Sequence, residues 1–280
     1  MCFGHGTDNA WDESAALVLH ALRVSHGAAA RRPARRVGPR EAERALALIE
    51  RRIAERVPAV YLTGKTWFAG LEMRVDPRVL IPRSPLAELI GRRFAPWIDA
   101  AEVRRVLDLG TGSGCIAIAC AKAFRGARVD ASDISAEALA VARINVRRHG
   151  LLRRVSLVKS DHFHALGRRR YDIIVSNPPY VGARELAGLP PEYAHEPELA
   201  LAAGRDGLRS VRVILREAER HLRPRGILVV EVGNTERAVR RAFPRVPFTW
   251  LHFERGGGGV FVLARGLAAC PGTRSASSSR

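Results

Sequence analysis

The stretch VLDLGTGSGCIAIACAKA, residues 106–123, joins a predicted strand to a predicted helix through a glycine-rich turn. Val106, Leu107 and Leu109 indicate a buried strand, and the Ile- and Ala-rich run from Cys115 indicates a helix. Between them, Gly110, Gly112 and Gly114 allow a sharp turn and a close approach of the backbone to a ligand. A strand that passes through such a turn into a helix is typical of the ligand-binding edge of an α/β sheet.

Strands and helices alternate along the chain from about residue 86. The candidate strands are 103–108, 127–132, 154–158, 171–176, 226–232, 248–253 and 260–264, and the helices between them include 135–149 and 208–222. This alternation predicts crossover units and a mostly parallel sheet. No convincing helix separates the last two strands, so we expect an antiparallel pair at one edge. The prediction is an α/β fold with a seven-stranded sheet.

The spacing of the glycine turn distinguishes between two cofactors. A dinucleotide site uses G-x-G-x-x-G and binds pyrophosphate at the helix N-terminus. This loop is G-x-G-x-G, with Asp108 just before it. A carboxylate there repels a phosphate, but it can hold the ammonium group of an amino-acid moiety. S-adenosylmethionine carries that ammonium and no phosphate, so the pattern favours it over NAD.

Two further strand ends carry acidic residues that suit the same cofactor. Asp133 lies 23 residues after Gly110, where an acidic side chain accepts hydrogen bonds from ribose hydroxyls. Asp161 is expected to accept from the adenine amino group, with His162 or Phe163 beside the ring. Alternatively, Asp133 caps the helix that follows it, and Asp161 is a turn residue.

The fourth predicted strand ends in an Asn-Pro-Pro-Tyr turn, in YDIIVSNPPYV at 171–181. Ligands of open α/β sheets bind outside these strand ends, so the turn is expected to face the cofactor. Pro178 and Pro179 fix their own φ angles and keep Asn177 out of helical geometry. The Asn177 side-chain oxygen and the Pro178 carbonyl can then accept both N–H bonds of a substrate NH₂ group, with Tyr180 packed on its plane. The alternative is a strand exit that only ends the sheet.

The rigidity of this turn suits a sluggish nucleophile. An amide or aromatic amine nitrogen is weakly nucleophilic because its lone pair is delocalised. Two acceptors that hold both N–H bonds favour pyramidal geometry and aim the lone pair at a sulfonium methyl group. Positioning of this kind can supply about 7–11 kcal/mol. The proton can leave after transfer, so no strong general base is needed. His195 and Glu196, which follow in the chain, are expected to make structural contacts.

The first 82 residues show a different pattern. Residues 8–24 and 40–57 are predicted helices, and the apolar face of the second comprises Leu46, Ile49, Ile53 and Val57. Residues 28–39 are a predicted exposed linker. We divide the chain into a helical substrate-recognition domain at 1–59, a β-hairpin linker at 60–82, a catalytic domain at 83–265 and a disordered tail at 266–280.

The composition is that of a basic globular protein. Of the 280 residues 47% are apolar, without a run long enough for a transmembrane helix, and the start MCFGHGTDNAWDE does not resemble a signal peptide. Four cysteines without C-x-x-C spacing argue against a metal site and for a reducing compartment. These features predict a cytoplasmic enzyme with no metal and no membrane association.

The formal net charge is +18, and nearly all of the excess is arginine. Such a field favours polyanionic partners, including ribosomal RNA. A GC-rich coding sequence explains the abundance of arginine and alanine equally well.

The combination of DLGTGSG (108–114) and NPPY (177–180) resembles methyltransferases that act on planar sp² nitrogens. These include adenine-specific DNA methyltransferases and the protein-(glutamine) N5-methyltransferase family, whose members carry a small N-terminal helical domain and a hairpin. The resemblance implies a Rossmann-like class I S-adenosylmethionine-dependent fold. It implies a cofactor site at Asp108, Gly110, Thr111, Gly112, Ser113, Gly114, Asp133, Asp161, His162 and Asn177. It also implies a glutamine clamp formed by Asn177, Pro178, Pro179 and Tyr180.

Four other stretches resemble the branch of this family that methylates large-subunit ribosomal protein number three. They are FGHGTDNAWDE (3–13), RVLIPRSPLAELI (78–90), LPPEYAHEPELALAAGRDGL (189–208) and FERGGGGVFVL (253–263). Release-factor enzymes have LIPRP followed by Asp-Thr-Glu, where this chain has Ser84-Pro85-Leu86. The resemblance therefore implies methylation of a glutamine amide in that ribosomal protein. Release-factor methylation is the nearest alternative, and DNA adenine methylation is disfavoured because no target-recognition domain is visible.

Overall fold

The computed structural model of the protein describes residues 1–3, 9–24, 36–254 and 256–266. In these ranges the helices are α1 (Ala10–Ala21), α2 (Pro39–Ala54), α3 (Ala59–Thr63), α4 (Leu86–Gly91), α5 (Cys115–Ala123), α6 (Ala136–Arg148), α7 (Ala183–Leu186), α8 (Arg209–His221) and α9 (Glu236–Ala242). The strands are β1 (Lys65–Phe68), β2 (Leu71–Arg74), β3 (Arg105–Leu109), β4 (Arg128–Asp133), β5 (Val155–Lys159), β6 (Tyr171–Ser176), β7 (Leu222–Glu231), β8 (Thr249–Leu251) and β9 (Val260–Ala264). The predicted tail after residue 266 and most of the predicted linker lie outside the described residues.

The strands β3 to β9 form one seven-stranded sheet in the order β5-β4-β3-β6-β7-β9-β8, which confirms the predicted α/β fold. The strands from β5 to β7 are parallel, and β9 runs antiparallel to both β7 and β8. The chain first moves outward from β3 through β4 and β5, and then returns to β6 on the other side of β3. Open α/β sheets bind ligands at such a switch point.

Both faces of the sheet are covered, which explains the continuous apolar run before the Asn-Pro-Pro-Tyr turn. Ile173 and Val175 pack on the face covered by α5, whereas Ile174 packs on the opposite face with Ile214 of α8. All of these side chains are fully buried. A parallel strand between two helical layers has no solvent side, so its sequence does not alternate.

The N-terminal helices α1 and α2 pack against each other, but the buried face of α2 differs from the predicted one. Leu46 and Ile53 are 57% and 55% exposed, whereas Arg52 is only 2% exposed. The Arg52 guanidinium bonds to Glu13 at 2.9 Å and to Glu192 at 3.2 Å. The buried residues of the two helices therefore include the Arg52–Glu13 ion pair beside Leu17, Ala21 and Ala45, and not the predicted Leu46 and Ile53.

The predicted hairpin is present but shorter than expected. The antiparallel pair β1–β2 covers residues 65–74, while the preceding VYLT stretch is helical in α3. Gly64 ends α3 in the left-handed region with a φ of 70°. No helix among the described residues has both the length and the apolar character needed to cross a membrane.

Candidate active site

The parallel register brings most of the predicted site residues to one edge of the sheet. The strands β4, β3, β6 and β7 are paired up to their carboxyl ends. The last paired residues at that edge are Ser132, Leu109, Ser176 and Val230, and the next residues along the same four strands form a row of Asp133, Gly110, Asn177 and Glu231, in that order. Neighbouring strands lie about 4.8 Å apart, so adjacent members of the row are close. The sequence pattern predicts the first three members, but it does not indicate Glu231.

The glycine loop is fixed from below by Asp108, which is fully buried. Its Oδ2 accepts hydrogen bonds from Thr111 Oγ1 at 2.6 Å and from the Ala117 N–H at 2.9 Å. The other oxygen, Oδ1, is buried and has no hydrogen-bond partner among the described residues. Burial raises the pKa of this carboxyl group to about 7, although both hydrogen bonds favour the ionised form. A buried carboxylate oxygen without a hydrogen-bond partner, such as Asp108 Oδ1, is suited to bind a cationic group such as an ammonium.

The loop is also held by α6 behind it. Gly114 has a φ of 83°, and a Cβ atom there would lie 3.2 Å from Ala142 Cβ, so the loop and the helix approach closely. In the same helix, the buried Asn145 amide donates to the Ser113 carbonyl at 2.8 Å and to the Arg74 carbonyl at 2.9 Å. The loop, α6 and the hairpin therefore form one connected support.

Asp133 stands at the mouth of the loop. Its Oδ2 accepts from the Gly112 N–H at 2.8 Å, and its Oδ1 accepts from the Ser135 N–H at 2.9 Å. Burial raises the pKa of this carboxyl group above its ordinary value. The N-cap of α6 is Ser135, whose hydroxyl accepts from the Ala138 N–H, so Asp133 supports the start of this helix through the Ser135 N–H and is not itself the cap. Its remaining lone pairs can accept from two neighbouring hydroxyls.

The third predicted part of the cofactor site, at Asp161 and His162, follows β5. Asp161 Oδ1 lies 2.6 Å from His162 Nδ1, and Asp161 is largely exposed. Phe163 is buried, with its ring stacked on His221 at a centroid distance of 4.7 Å. Phe163 thus packs in the core of the protein, which favours His162 over Phe163 for the predicted position beside adenine.

The Asn-Pro-Pro-Tyr turn leaves one polar group available at the centre of the row. The Asn177 side chain is partly exposed and has no hydrogen-bond partner among the described residues. Beyond the prolines, the Tyr180 ring lies against Gly233 at the end of β7. Burial, together with the nearby charge of Glu231, raises the pKa of Tyr180 and keeps its phenol neutral.

A cleft of about 1220 Å³ opens on the β7–β9 side of Asn177. Its walls are the hairpin turn at 69–70, the segment 83–92, the start of α9 and the glycine run 256–259, with Tyr180 and Glu231 also lining it. Pockets for small molecules measure about 300–1,000 Å³, so this cleft has room for a peptide segment. The row therefore runs from the glycine loop, at Gly110, to a cleft with room for a peptide segment, at Glu231.

Two carboxylates near this cleft have structural partners. Ser84 Oγ donates to Glu231 Oε2 at 2.5 Å, a contact that the sequence pattern does not indicate. Glu196 Oε1 lies 2.7 Å from Arg83 Nη2, and its Oε2 accepts from the Ile81 N–H at 3.0 Å. Glu196 therefore makes the structural salt bridge expected from the sequence. No group of three or more potential metal ligands occurs in the ranges that the structure describes.

Comparison with known proteins identifies the family. The ribosomal protein uL3 glutamine methyltransferase of Francisella tularensis subsp. tularensis is 47% identical over 262 residues, which cover 93% of this chain and 83% of the relative. The protein of the same name from Xanthomonas campestris pv. campestris is 50% identical over 264 residues, which cover 94% of this chain and 85% of the relative. The chain belongs to the uL3 glutamine methyltransferase family.

Two other comparisons agree with a methyltransferase fold. The family model described as methyltransferase small domain matches residues 92–188, which include both the glycine loop and the Asn-Pro-Pro-Tyr turn. Among solved structures, a methyltransferase from Pyrococcus furiosus aligns with a TM-score of 0.50 at 19% identity, covering 80% of this chain and 98% of that one. This structural likeness supports the class I methyltransferase fold.

Proposed function

We propose that this chain transfers the methyl group of S-adenosylmethionine to the side-chain amide nitrogen of a glutamine in ribosomal protein uL3. The position of Asn177 carries the proposal. Its available amide lies between Gly110 of the glycine loop and Glu231 of the cleft. A side chain at this point can hold a nitrogen that enters from the cleft against a donor bound at the loop. The names of the two relatives support uL3 as the acceptor.

The residues around the loop fit S-adenosylmethionine. Asp133 offers carboxylate oxygens to the ribose hydroxyls, and the orphaned Asp108 Oδ1 offers a negative charge to the ammonium group. Asp161 is suited to accept from the adenine amino group, with His162 beside the ring. Bound there, the cofactor supplies a methyl group activated by a sulfonium centre.

The turn acts as a clamp for the acceptor amide. The Asn177 side-chain oxygen and the Pro178 carbonyl each accept one N–H bond of the glutamine NH₂ group. Tyr180 packs on the plane of the amide, and Pro178 and Pro179 keep both acceptors fixed. Because the delocalised lone pair is a weak nucleophile, this fixed orientation contributes the main part of the rate acceleration.

Two further elements contact the assembling ribosome in this proposal. The helices α1 and α2 recognise the body of the substrate protein, and exposed arginines contact ribosomal RNA. Arg143 and Arg147 support the second role, because they lie one turn apart on the exposed side of α6. A ribosomal substrate implies that the reaction takes place in the cytoplasm.

Label transfer to three acceptors tests the proposed function. The purified chain is incubated with methyl-labelled S-adenosylmethionine and with uL3, a peptide chain release factor or adenine-containing DNA. We expect label in uL3, at a glutamine located by mass spectrometry, and at most a trace elsewhere. Preferential labelling of the release factor would mean that the release factor, and not uL3, is the substrate. Label in DNA alone would refute methylation of a protein.

A further inference from the structure

The carboxyl group of Glu231 is buried at the cleft, and the described residues use only part of its hydrogen-bonding capacity. Glu231 ends β7, is only 4% exposed and lines the cleft beside Tyr180. Its hydrogen-bond partner among the described residues is the Ser84 hydroxyl. A buried carboxyl group with one hydrogen bond is costly to desolvate, and such groups are concentrated at functional sites.

The Ser84 hydroxyl is oriented for this contact. Its oxygen accepts from the Leu86 N–H at 3.1 Å, at the start of α4. A hydroxyl has one proton to donate, and here the proton points to Glu231 Oε2. The other carboxylate oxygen, Oε1, has no hydrogen-bond partner among the described residues and remains available to whatever occupies the cleft.

The neighbouring arginine does not use this carboxylate. The Arg83 guanidinium lies 2.7 Å from Glu196 and 5.1 Å from the centre of the Tyr193 ring. It acts on Glu231 only through its longer-range charge. Burial raises the pKa of Glu231 to about 7, against the opposing effects of the Ser84 hydrogen bond and the Arg83 charge. An N–H donor that arrives in the cleft stabilises the ionised form of such a group.

The chemistry of the substrate limits which N–H groups can donate to Glu231 Oε1. If the proposed function holds, Asn177 and Pro178 occupy both N–H bonds of the acceptor amide. The remaining donors nearby are the main-chain N–H groups of the glutamine-bearing segment. An extended glutamine side chain spans about 5 Å, which is close to the spacing between the strands that carry Asn177 and Glu231.

We propose that Ser84 and Glu231 form a positioning pair for the main chain of the substrate segment. Ser84 holds Oε2, and Oε1 accepts a main-chain N–H of the glutamine or of a residue next to it. This anchor fixes the segment while the turn fixes the amide. The inference rests on the proposed function, and it adds a contact that determines how the acceptor protein is held.

Steady-state kinetics of Glu231→Gln test the pair. In glutamine one of the two carboxylate oxygens is replaced by an NH₂ group, which cannot accept a hydrogen bond from Ser84 or from the substrate, and the negative charge is lost. We expect the KM for uL3 to rise about tenfold or more, the usual effect of losing a hydrogen bond to a charged group. The kcat, the affinity for S-adenosylmethionine and the Tm should stay close to wild type. The matched control is Glu102→Gln, an exposed residue before β3 at the opposite end of the sheet, for which no change is expected.

A second pair of variants keeps the test decisive if Glu231→Gln does not fold. Ser84→Ala removes the hydroxyl, whereas Ser84→Thr keeps it, so only the alanine variant should raise the KM. An unchanged KM in Glu231→Gln, or equal KM values in both Ser84 variants, would overturn the positioning pair. Losses in cofactor affinity and Tm that match the loss in activity would also overturn it. Absence of label in uL3 with the wild-type enzyme would instead remove the proposed function, and the pair with it.

Discussion

The ring of Tyr180 lies so close to Gly233 that no side chain fits between them. A Cβ atom at Gly233 would come within 2.6 Å of Tyr180 Cε2 and within 2.8 Å of Cζ. Gly233 also has a φ of 46°, in the left-handed region. The end of β7 therefore determines where the aromatic member of the turn lies.

Substitution of Gly233 by alanine should damage catalysis more than folding. The methyl group displaces the Tyr180 ring, and small displacements of a positioning group lower rates about a hundredfold. We expect the kcat/KM for uL3 to fall by about that factor, with S-adenosylmethionine affinity retained. Gly150→Ala is the control, because Gly150 also has a positive φ of 70° but no atom within 4 Å of the added Cβ. Equal losses of kcat/KM in Gly233→Ala and Gly150→Ala would mean that backbone strain alone causes the effect.

The raised pKa of Asp108 predicts a pH-dependent affinity for the cofactor. The ammonium of S-adenosylmethionine favours the ionised carboxylate. Because the pKa of Asp108 is about 7, only a small fraction of this carboxyl group is ionised in more acidic solution. Affinity measured by calorimetry should therefore rise about fivefold to tenfold between about pH 6 and pH 7.5. In Asp108→Asn, which keeps an acceptor for Thr111 and Ala117, affinity should be lower and nearly constant with pH. A wild-type affinity that falls over this range contradicts the assignment.

The buried charges around Glu192 should be a large source of stability. Glu192 is fully buried and lies 3.2 Å from Arg52 and 2.9 Å from Arg56. Burial alone would raise its pKa, but hydrogen bonds from the Cys2 N–H and both arginines hold the value at about 2. Because removal of one partner leaves buried charge uncompensated, Glu192→Gln should lower the free energy of unfolding by about 3–5 kcal/mol in urea titrations.

The pH dependence of the free energy of unfolding tests the same contribution of ionised Glu192. A carboxyl group whose folded pKa is depressed stabilises the fold above its ordinary pKa and loses that contribution as the pH falls towards 2. Wild type should therefore lose more stability than Glu192→Gln between about pH 4.5 and pH 2. The exposed Glu198→Gln control should change stability by no more than about 0.5 kcal/mol. A wild-type-like Glu192→Gln would mean that this network contributes nothing.

The proposed contact with ribosomal RNA should depend on salt. Each phosphate contact contributes about −0.9 to the slope of log K against log salt concentration. Reversing Arg143 and Arg147 to glutamate should weaken binding to large-subunit precursors and reduce this slope. Methylation of free uL3 should be unaffected. Binding that does not change between low and physiological salt would exclude an electrostatic contact.

The sequence predicts the sheet and the loop because both depend on local patterns. The run Ile173–Val175 indicates a strand covered on both faces, and the glycines and prolines mark the strand ends. Since parallel strands share one carboxyl edge, the order of motifs also predicts that Gly110, Asp133 and Asn177 lie together.

Contacts between distant parts of the chain leave no local pattern in the sequence. Ser84 and Glu231 are separated by 147 positions, and the only signal is a carboxylate at the end of an apolar strand. The buried face of α2 was predicted wrongly for the same reason, because the partner of Arg52 at Glu192 lies 140 positions away. Periodicity predicts leucine or isoleucine on the buried face of a helix, whereas here a long charged side chain pairs with a distant segment of the chain.

A single-turnover experiment with Asn177→Ala tests whether Asn177 holds the acceptor nitrogen. Enzyme saturated with labelled S-adenosylmethionine is mixed with uL3, and the rate of label transfer is compared with wild type after the cofactor Kd of both has been measured. We predict a rate lower by at least about a hundredfold, as when an oriented hydrogen-bonding group is removed from an active site, with only a modest change in Kd. An unchanged single-turnover rate combined with a large loss of cofactor affinity would show that Asn177 holds the cofactor and not the acceptor nitrogen.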